Sequence, residues 1–214
     1  RATNWHTPTT VEEIQDIVRN SKKIKGLGSR HSFNQIADSD DTIISLQNLN
    51  QIIEIDSDKQ TVTVEGGITY GGLCKALHEQ GFALPNLASL PHISVVGACM
   101  TGTHGSGEGN GNLATVVSGI ELVTANGDVI HRNRAEHGDE FAGLIVSLGA
   151  LGIVTRVTLD IVPTFDVRQD VYLDLPFDEL YANFDAIQAS GYSVSLFTHW
   201  GEVISQTWVK SVVD

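Results

Sequence analysis

The sequence predicts an α+β fold, and three observations carry that expectation. Antiparallel strand pairs closed by short turns at Asp56-Ser57-Asp58 and Asn126-Gly127 alternate with amphipathic helices, rather than a run of right-handed β-α-β units. A strand-like Lys23-Ile24-Lys25 runs straight into the loop Gly26-Leu27-Gly28-Ser29-Arg30-His31-Ser32-Phe33-Asn34. Its two glycines let the backbone turn tightly and offer N–H groups to an anion. Beyond Pro163 a separate β-α-β-β pattern begins. With 214 residues, 41% of them hydrophobic, the chain can bury a real core and makes one large domain, or one domain and part of another.

In chain order, Thr10 is placed to cap a helix that begins at Val11, with Glu13 reaching back and Val11, Ile14 and Val18 on one face. This helix is expected to end near Asn20-Ser21, ahead of the strand at Lys23–Lys25. Thr42–Leu46 reads as a strand. Ile52–Ile55 and Thr61–Glu65 form an antiparallel pair that puts Val62 and Val64 on one face. Tyr70, Leu73, Cys74 and Leu77 line a helix that stops at Gly81. The Asn126-Gly127 turn joins Val116–Val123 to Val129–His131. A helix around Asp139–Ser147, a turn over Gly149–Gly152 and a strand over Ile153–Ile161 follow. After Pro163 come a strand (Val167–Leu173), a helix (Phe177–Ser190) and two strands (Ser193–Thr198 and Ser205–Lys210). That run is the opening half of a split β-α-β unit, so the boundary divides residues 1–163 from an incomplete 164–214.

A net charge of -13 excludes a basic nucleic-acid footprint. The cluster Lys22, Lys23 and Lys25 reads as a solvated face. Cys74 and Cys99 lie in apolar helical contexts and read as free thiols, which suits a reducing, cytoplasmic location. There is no apolar run of the ~18 residues that a membrane helix needs and no signal-peptide core, so no membrane partner is expected. The start at Arg1 suggests that the 214 residues are not an intact primary translation product.

A second informative stretch runs from Leu84 to Gly111. Ser94 stands at a helix N-cap position, and Gly97, Ala98 and Gly102 are small at spacings that admit another backbone or a flat ligand. No Gly-Lys-Ser/Thr follows the glycines, so this is not a nucleoside-triphosphate loop. His31 occupies the place of the third glycine of G-x-G-x-x-G, which argues against a nicotinamide Rossmann site. His92, Cys99 and His104 have neither the spacing nor the carboxylate partner of a metal site.

Gly26 to Asn34, Ala83 to Val95, Thr101 to Gly107 and Ser147 to Thr155 together resemble the FAD-binding part of the vanillyl-alcohol-oxidase superfamily, most closely its alditol (xylitol) oxidases. Tyr192 to Thr198 carries the same likeness. The resemblance implies a PCMH-type FAD-binding domain of two α/β subdomains, followed by the first part of a ferredoxin-like substrate (cap) domain. It implies that Gly26, Leu27, Gly28, Ser29, Arg30, His31 and Ser32 wrap the FAD pyrophosphate, and that His31 is joined covalently to the flavin 8α-methyl. Ser94, Gly97, Thr101, Gly102, Thr103 and His104 would line the cofactor, with Val154 at the adenine end. Ser89 would sit by the flavin and bind the substrate hydroxyl, and Ala88 beside it would leave room for dioxygen. His92 is given a structural role in holding the loop after Pro91. The reaction implied is oxidation of a sugar-alcohol primary CH–OH, with O2 as acceptor and hydrogen peroxide as product; the sequence itself does not reveal the oligomeric state, and a monomer is the default expectation. The groups that bind the polyol and assist proton removal would lie beyond Asp214.

Three rival readings stand beside this one. The first is an aldonolactone oxidase or dehydrogenase with the same cofactor domain. The second is a non-catalytic FAD-binding module. The third, a flavin-free carbohydrate-binding protein, is disfavoured by the wide separation of Trp5, Trp200 and Trp208.

Overall fold

The structure, a computed structural model, describes residues 2–213. Its first layer is a small parallel sheet built from β1 (Asn4–His6), β2 (Ile24–Leu27) and β3 (Thr42–Ser45), with β3 in the centre. Helix α1 (Val11–Asn20) joins β1 to β2. Thr10 Oγ1 accepts the Glu13 N–H at 3.2 Å, while the Glu13 carboxylate takes the Thr9 N–H at 2.7 Å, one residue further back than a capping box requires. Ile14 and Val18 bury themselves with Ile44, Leu46 and Leu49. β2 begins one residue later than the expected Lys23–Lys25 and ends two residues further, at Leu27.

The second layer is a five-stranded antiparallel sheet. It comprises β4 (Ile52–Asp56), β5 (Thr61–Glu65), β7 (Val117–Val123), β8 (Val129–Asn133) and β9 (Ile153–Asp160), in the order β4-β5-β9-β7-β8. Val62 and Val64 share one fully buried face, as their alternation predicts. Under that face lie α2 (Tyr70–Glu79) and α3 (Val95–Met100), which bring Leu73, Leu77, Val95 and Cys99 against Val157 and Leu159. Helix α2 stops at Gly81 (φ 80°). The β7–β8 hairpin turns at Asn126-Gly127 with Gly127 at φ 79°, and the far ends of β7 and β9 lend Val123 and Ile153 to the first core. The two layers therefore share apolar contacts.

Helix α4 spans Arg134–Ile145, broken at Gly138 (φ 46°), and starts about a turn earlier than Asp139–Ser147 because Asn133 caps it by accepting the Glu136 N–H at 2.9 Å. A two-residue pair, β6 (Phe82–Ala83) with β10 (Val162–Pro163), closes this part. The third sheet runs β11-β13-β12, from β11 (Asp166–Pro176), β12 (Ser193–Thr198) and β13 (Val203–Val213), with α5 (Phe177–Gln188) packed against it. Among the described residues no helix is long and apolar enough to cross a membrane.

Candidate functional site

A cleft of about 930 Å³ opens where the end of β2 faces α3, with the first turn beyond β5 and the start of β9 as its floor. Its size falls in the range of small-molecule and cofactor pockets. Gly26, Leu27, Gly28, Ser29, Arg30, His31 and Ser32 form one wall, and Ser94, Gly97, Thr101 and Thr103 face them, with Val154 below. Ser89, Gly102 and His104 lie outside this lining. Ser89 is exposed, Gly102 makes a left-handed turn (φ 66°), and His104 is an exposed ring whose Nδ1 pairs with the Gly105 carbonyl at 2.8 Å.

The two walls meet where neither has a side chain. A Cβ on Gly28 would stand 2.4 Å from Ser94 Oγ, and one on Gly97 would stand 2.5 Å from the same atom. Glycine at both positions thus lets the β2 loop approach the start of α3 backbone to backbone. Ser94 N–H donates to Ser29 Oγ at 3.2 Å and fastens the loop to the helix start. Ser94 stands at the N-cap, yet its hydroxyl makes no capping bond. That hydroxyl is buried and has no hydrogen-bond partner. Leaving such a group unpaired costs about 1–3 kcal/mol, so a polar ligand atom delivered there gains in proportion.

The floor contains residues that no sequence signal singled out. Gly66 and Gly67 end β5, and their N–H groups donate to Thr155 O at 2.7 Å and Leu49 O at 2.8 Å. A Cβ on Gly67 would fall 1.9 Å from the Leu46 carbonyl oxygen. The adjacent glycines at a strand end were the available clue. Leu148 (φ 56°) and Gly149 (φ 65°) turn the loop before β9 along another edge of the cleft. Trp5, from β1, also lines it, and the Arg30 guanidinium lies 5.0 Å from the centroid of its ring. Arg30 itself adopts a left-handed backbone (φ 63°), which turns the chain just before His31.

His31 is exposed on the cleft wall, and its Nε2 lies 2.6 Å from Nε2 of His92. Beneath the cleft, burial pushes the Cys99 thiol up to about 11 and raises the Tyr70 hydroxyl as well. Among the described residues no three His, Cys, Asp or Glu side chains gather as a metal site. A cleft of this size, with glycine backbone at one wall and an unpaired buried hydroxyl opposite, suits a dinucleotide bearing a flat ring.

Comparison with known proteins agrees. Over 213 residues the chain is 46% identical to an alditol oxidase from a Streptomyces species, covering 98% of this chain and 50% of that protein. It is 34% identical to the L-gulonolactone oxidase of Bos taurus over 172 residues, 78% of this chain and 39% of that protein. The chain thus spans half or less of the length of these relatives. A cholesterol oxidase from Brevibacterium sterolicum has the same fold, with a TM-score of 0.85 at 20% identity over 98% of this chain and 45% of its own. Residues 5–133 match the family profile of the FAD binding domain, and on that match the chain belongs to the FAD-binding-domain family of flavoproteins.

Proposed function

We propose that this chain is the cofactor-holding part of an alditol-oxidase-like enzyme that oxidises the primary CH–OH of sugar alcohols such as xylitol and sorbitol. The observation that carries the reading is the 46% identity to an alditol oxidase across 98% of the chain, against 34% across 78% for a lactone oxidase. When bound, FAD supplies a two-electron acceptor that takes hydride from the carbinol carbon and passes the electrons to dioxygen as hydrogen peroxide.

The chain's own residues hold and orient. Backbone N–H groups from Gly26 through Ser32 receive the pyrophosphate, and the buried Ser94 hydroxyl supplies a donor that would otherwise go unused. Gly28 and Gly97 let both walls close on the cofactor, Thr101 and Thr103 face it, and Val154 meets the adenine end. His31 forms the covalent bond to the flavin methyl, an assignment supported by its exposure on the cleft wall. Ser89 reaches the substrate hydroxyl from the loop that also carries His92, and Ala88 leaves space for dioxygen. Gly102 and His104, outside the lining, shape the turn after α3. Residues 1–163 form the cofactor domain and 164–214 begin the substrate domain. The free thiols Cys74 and Cys99 suit a reducing environment such as the cytoplasm.

Full-length protein assayed side by side with xylitol, sorbitol and gulonolactone, with peroxide detection, tests this reading. The polyols should turn over with stoichiometric hydrogen peroxide. Turnover of the lactone alone would replace the substrate assignment by the aldonolactone one, which the lactone-oxidase relatives keep as the second reading. Stoichiometric FAD that no substrate bleaches would reduce the chain to a binding module.

A further inference from the structure

Along β9, Val157 and Leu159 face the core over α2 and α3, and Val154 joins the same core although an odd number of residues separates it from both. A regular strand would turn it to the opposite face. The pairing with β7 supplies the reason. Glu121 stands opposite Arg156 and Leu122 opposite Val154, so Thr155 is an extra residue and β9 bulges there. The bulge turns Val154 onto the floor of the cleft and aims the Thr155 carbonyl at the end of β5, where it accepts the Gly66 N–H at 2.7 Å. Space at that junction is tight, since a Cβ on Gly66 would lie 2.5 Å from the Val154 carbonyl oxygen.

Glu121 pins this bulge from the far face of the sheet. Its neighbours Ile120 and Leu122 both join the core, so alternation sends the Glu121 side chain the other way. The buried Thr155 hydroxyl donates to Glu121 Oε1 at 2.7 Å and lies 3.2 Å from the Glu121 carbonyl oxygen. Glu121 Oε2 accepts from the Arg156 guanidinium at 3.1 Å, and His131 Nδ1 on β8 stands 3.7 Å from it. Burying a carboxylate is costly where an apolar side chain would pack. Here its two oxygens hold the two β9 residues that share Glu121 as their partner.

We propose that Glu121 and Thr155 are positioning residues for the adenosine half of FAD: by pinning the bulge they hold Val154 as the floor beneath the adenine, and so select FAD over a flavin without adenosine. The proposal rests on the reading above that places the adenine end at Val154. Neither side chain lines the cleft, so both act through the backbone of β9. A strand that slips by one residue exchanges its faces, and here that slip would withdraw Val154 and release the Gly66 turn together. FMN ends at its first phosphate and does not reach this floor. Loosening the pin therefore weakens ligands that carry adenosine and spares FMN.

The test uses full-length protein from flavin-limited cells in an H31A background, which keeps all binding reversible, titrated calorimetrically with FAD, ADP and FMN. T155V, which keeps the shape and removes the hydroxyl, should weaken FAD and ADP about tenfold, as for one lost hydrogen bond, and leave FMN unchanged. T155S restores the hydroxyl and should bind all three as the parent does. E121L/T155V removes both polar partners at once and keeps a packed sheet, so it reads the same ratio if T155V alone fails to fold. Unchanged ADP affinity in T155V and E121L/T155V overturns this proposal and leaves the adenine reading standing. Equal losses for FAD, ADP and FMN would show a purely structural role and overturn it as well. A parent protein that binds FMN tightly and ADP not at all defeats the adenine reading and this proposal together.

Discussion

A hydroxyl shut inside a protein without a partner stands at a disadvantage that only a ligand or a substitution removes. Ser94 is in that position, so S94A should change the empty and filled protein in opposite directions. No capping bond is lost, and the unliganded protein should hold its stability or gain up to ~1 kcal/mol in urea titration. FAD affinity should fall about tenfold, as for one lost hydrogen bond. Cys99 gives a second prediction at this scale. Its folded-state pKa of about 11 exceeds the unfolded value near 9, so the folded thiol keeps a proton that the unfolded chain sheds in between. Its stabilisation is complete below pH 9 and is lost as pH rises toward 11. Alkaline unfolding curves should therefore be shallower by roughly 1 kcal/mol per pH unit in C99A than in wild type. Gly28 and Ser94 were readable residue by residue, because tight turns and helix starts demand particular residue types. Trp5 and Gly66 were not, because their place in the cleft depends on contacts between distant segments.

At the level of elements, two glycine substitutions separate flexible from rigid neighbours. Gly127 holds φ 79° in the β7–β8 turn, and its carbonyl accepts from Gln15 Nε2 at 2.6 Å and an Arg19 guanidinium N–H at 3.0 Å. An added methyl would meet the Arg19 side chain, which can swing away. G127A should therefore cost about 1–2 kcal/mol, mostly backbone strain, with FAD affinity unchanged. In G67A the methyl meets the Leu46 backbone carbonyl, which cannot yield, and the loss should reach about 3 kcal/mol with the cleft floor displaced. Chemical denaturation and FAD titration read both. Strong alternation and capping made α1, α2, β5 and the β7–β8 hairpin legible in the sequence. β1 was missed because three mostly polar residues on a sheet edge show no alternation, and the β6–β10 pair is too short to announce itself. The first turn of α4 was missed because Gly138 interrupts its apolar pattern.

For the molecule as a whole, the third sheet is fastened to the cofactor-binding part by polar groups. Asn110 Nδ2 donates to Ser106 O at 3.0 Å and to Tyr192 O at 3.1 Å, and Ser106 Oγ contacts the hydroxyls of Ser193 and Ser195 at 2.5 and 3.1 Å. Tyr192 OH donates to the Pro85 carbonyl. N110A leaves two carbonyls short of a donor and should cost about 1–2 kcal/mol while speeding proteolysis between Pro163 and Asp166. The sequence marked the break at Pro163, but the ties across it join residues 82 to 107 positions apart and leave no local trace. Trp5 adds a practical consequence at this scale. Its indole stands on the lip of the cleft, whereas Trp200 and Trp208 belong to the β12–β13 region. Tryptophan emission overlaps flavin absorption, so an isoalloxazine in the cleft drains the excited indole by energy transfer. The molecule thus carries a built-in optical gauge of loading, and W5F should remove the largest share of FAD-dependent quenching.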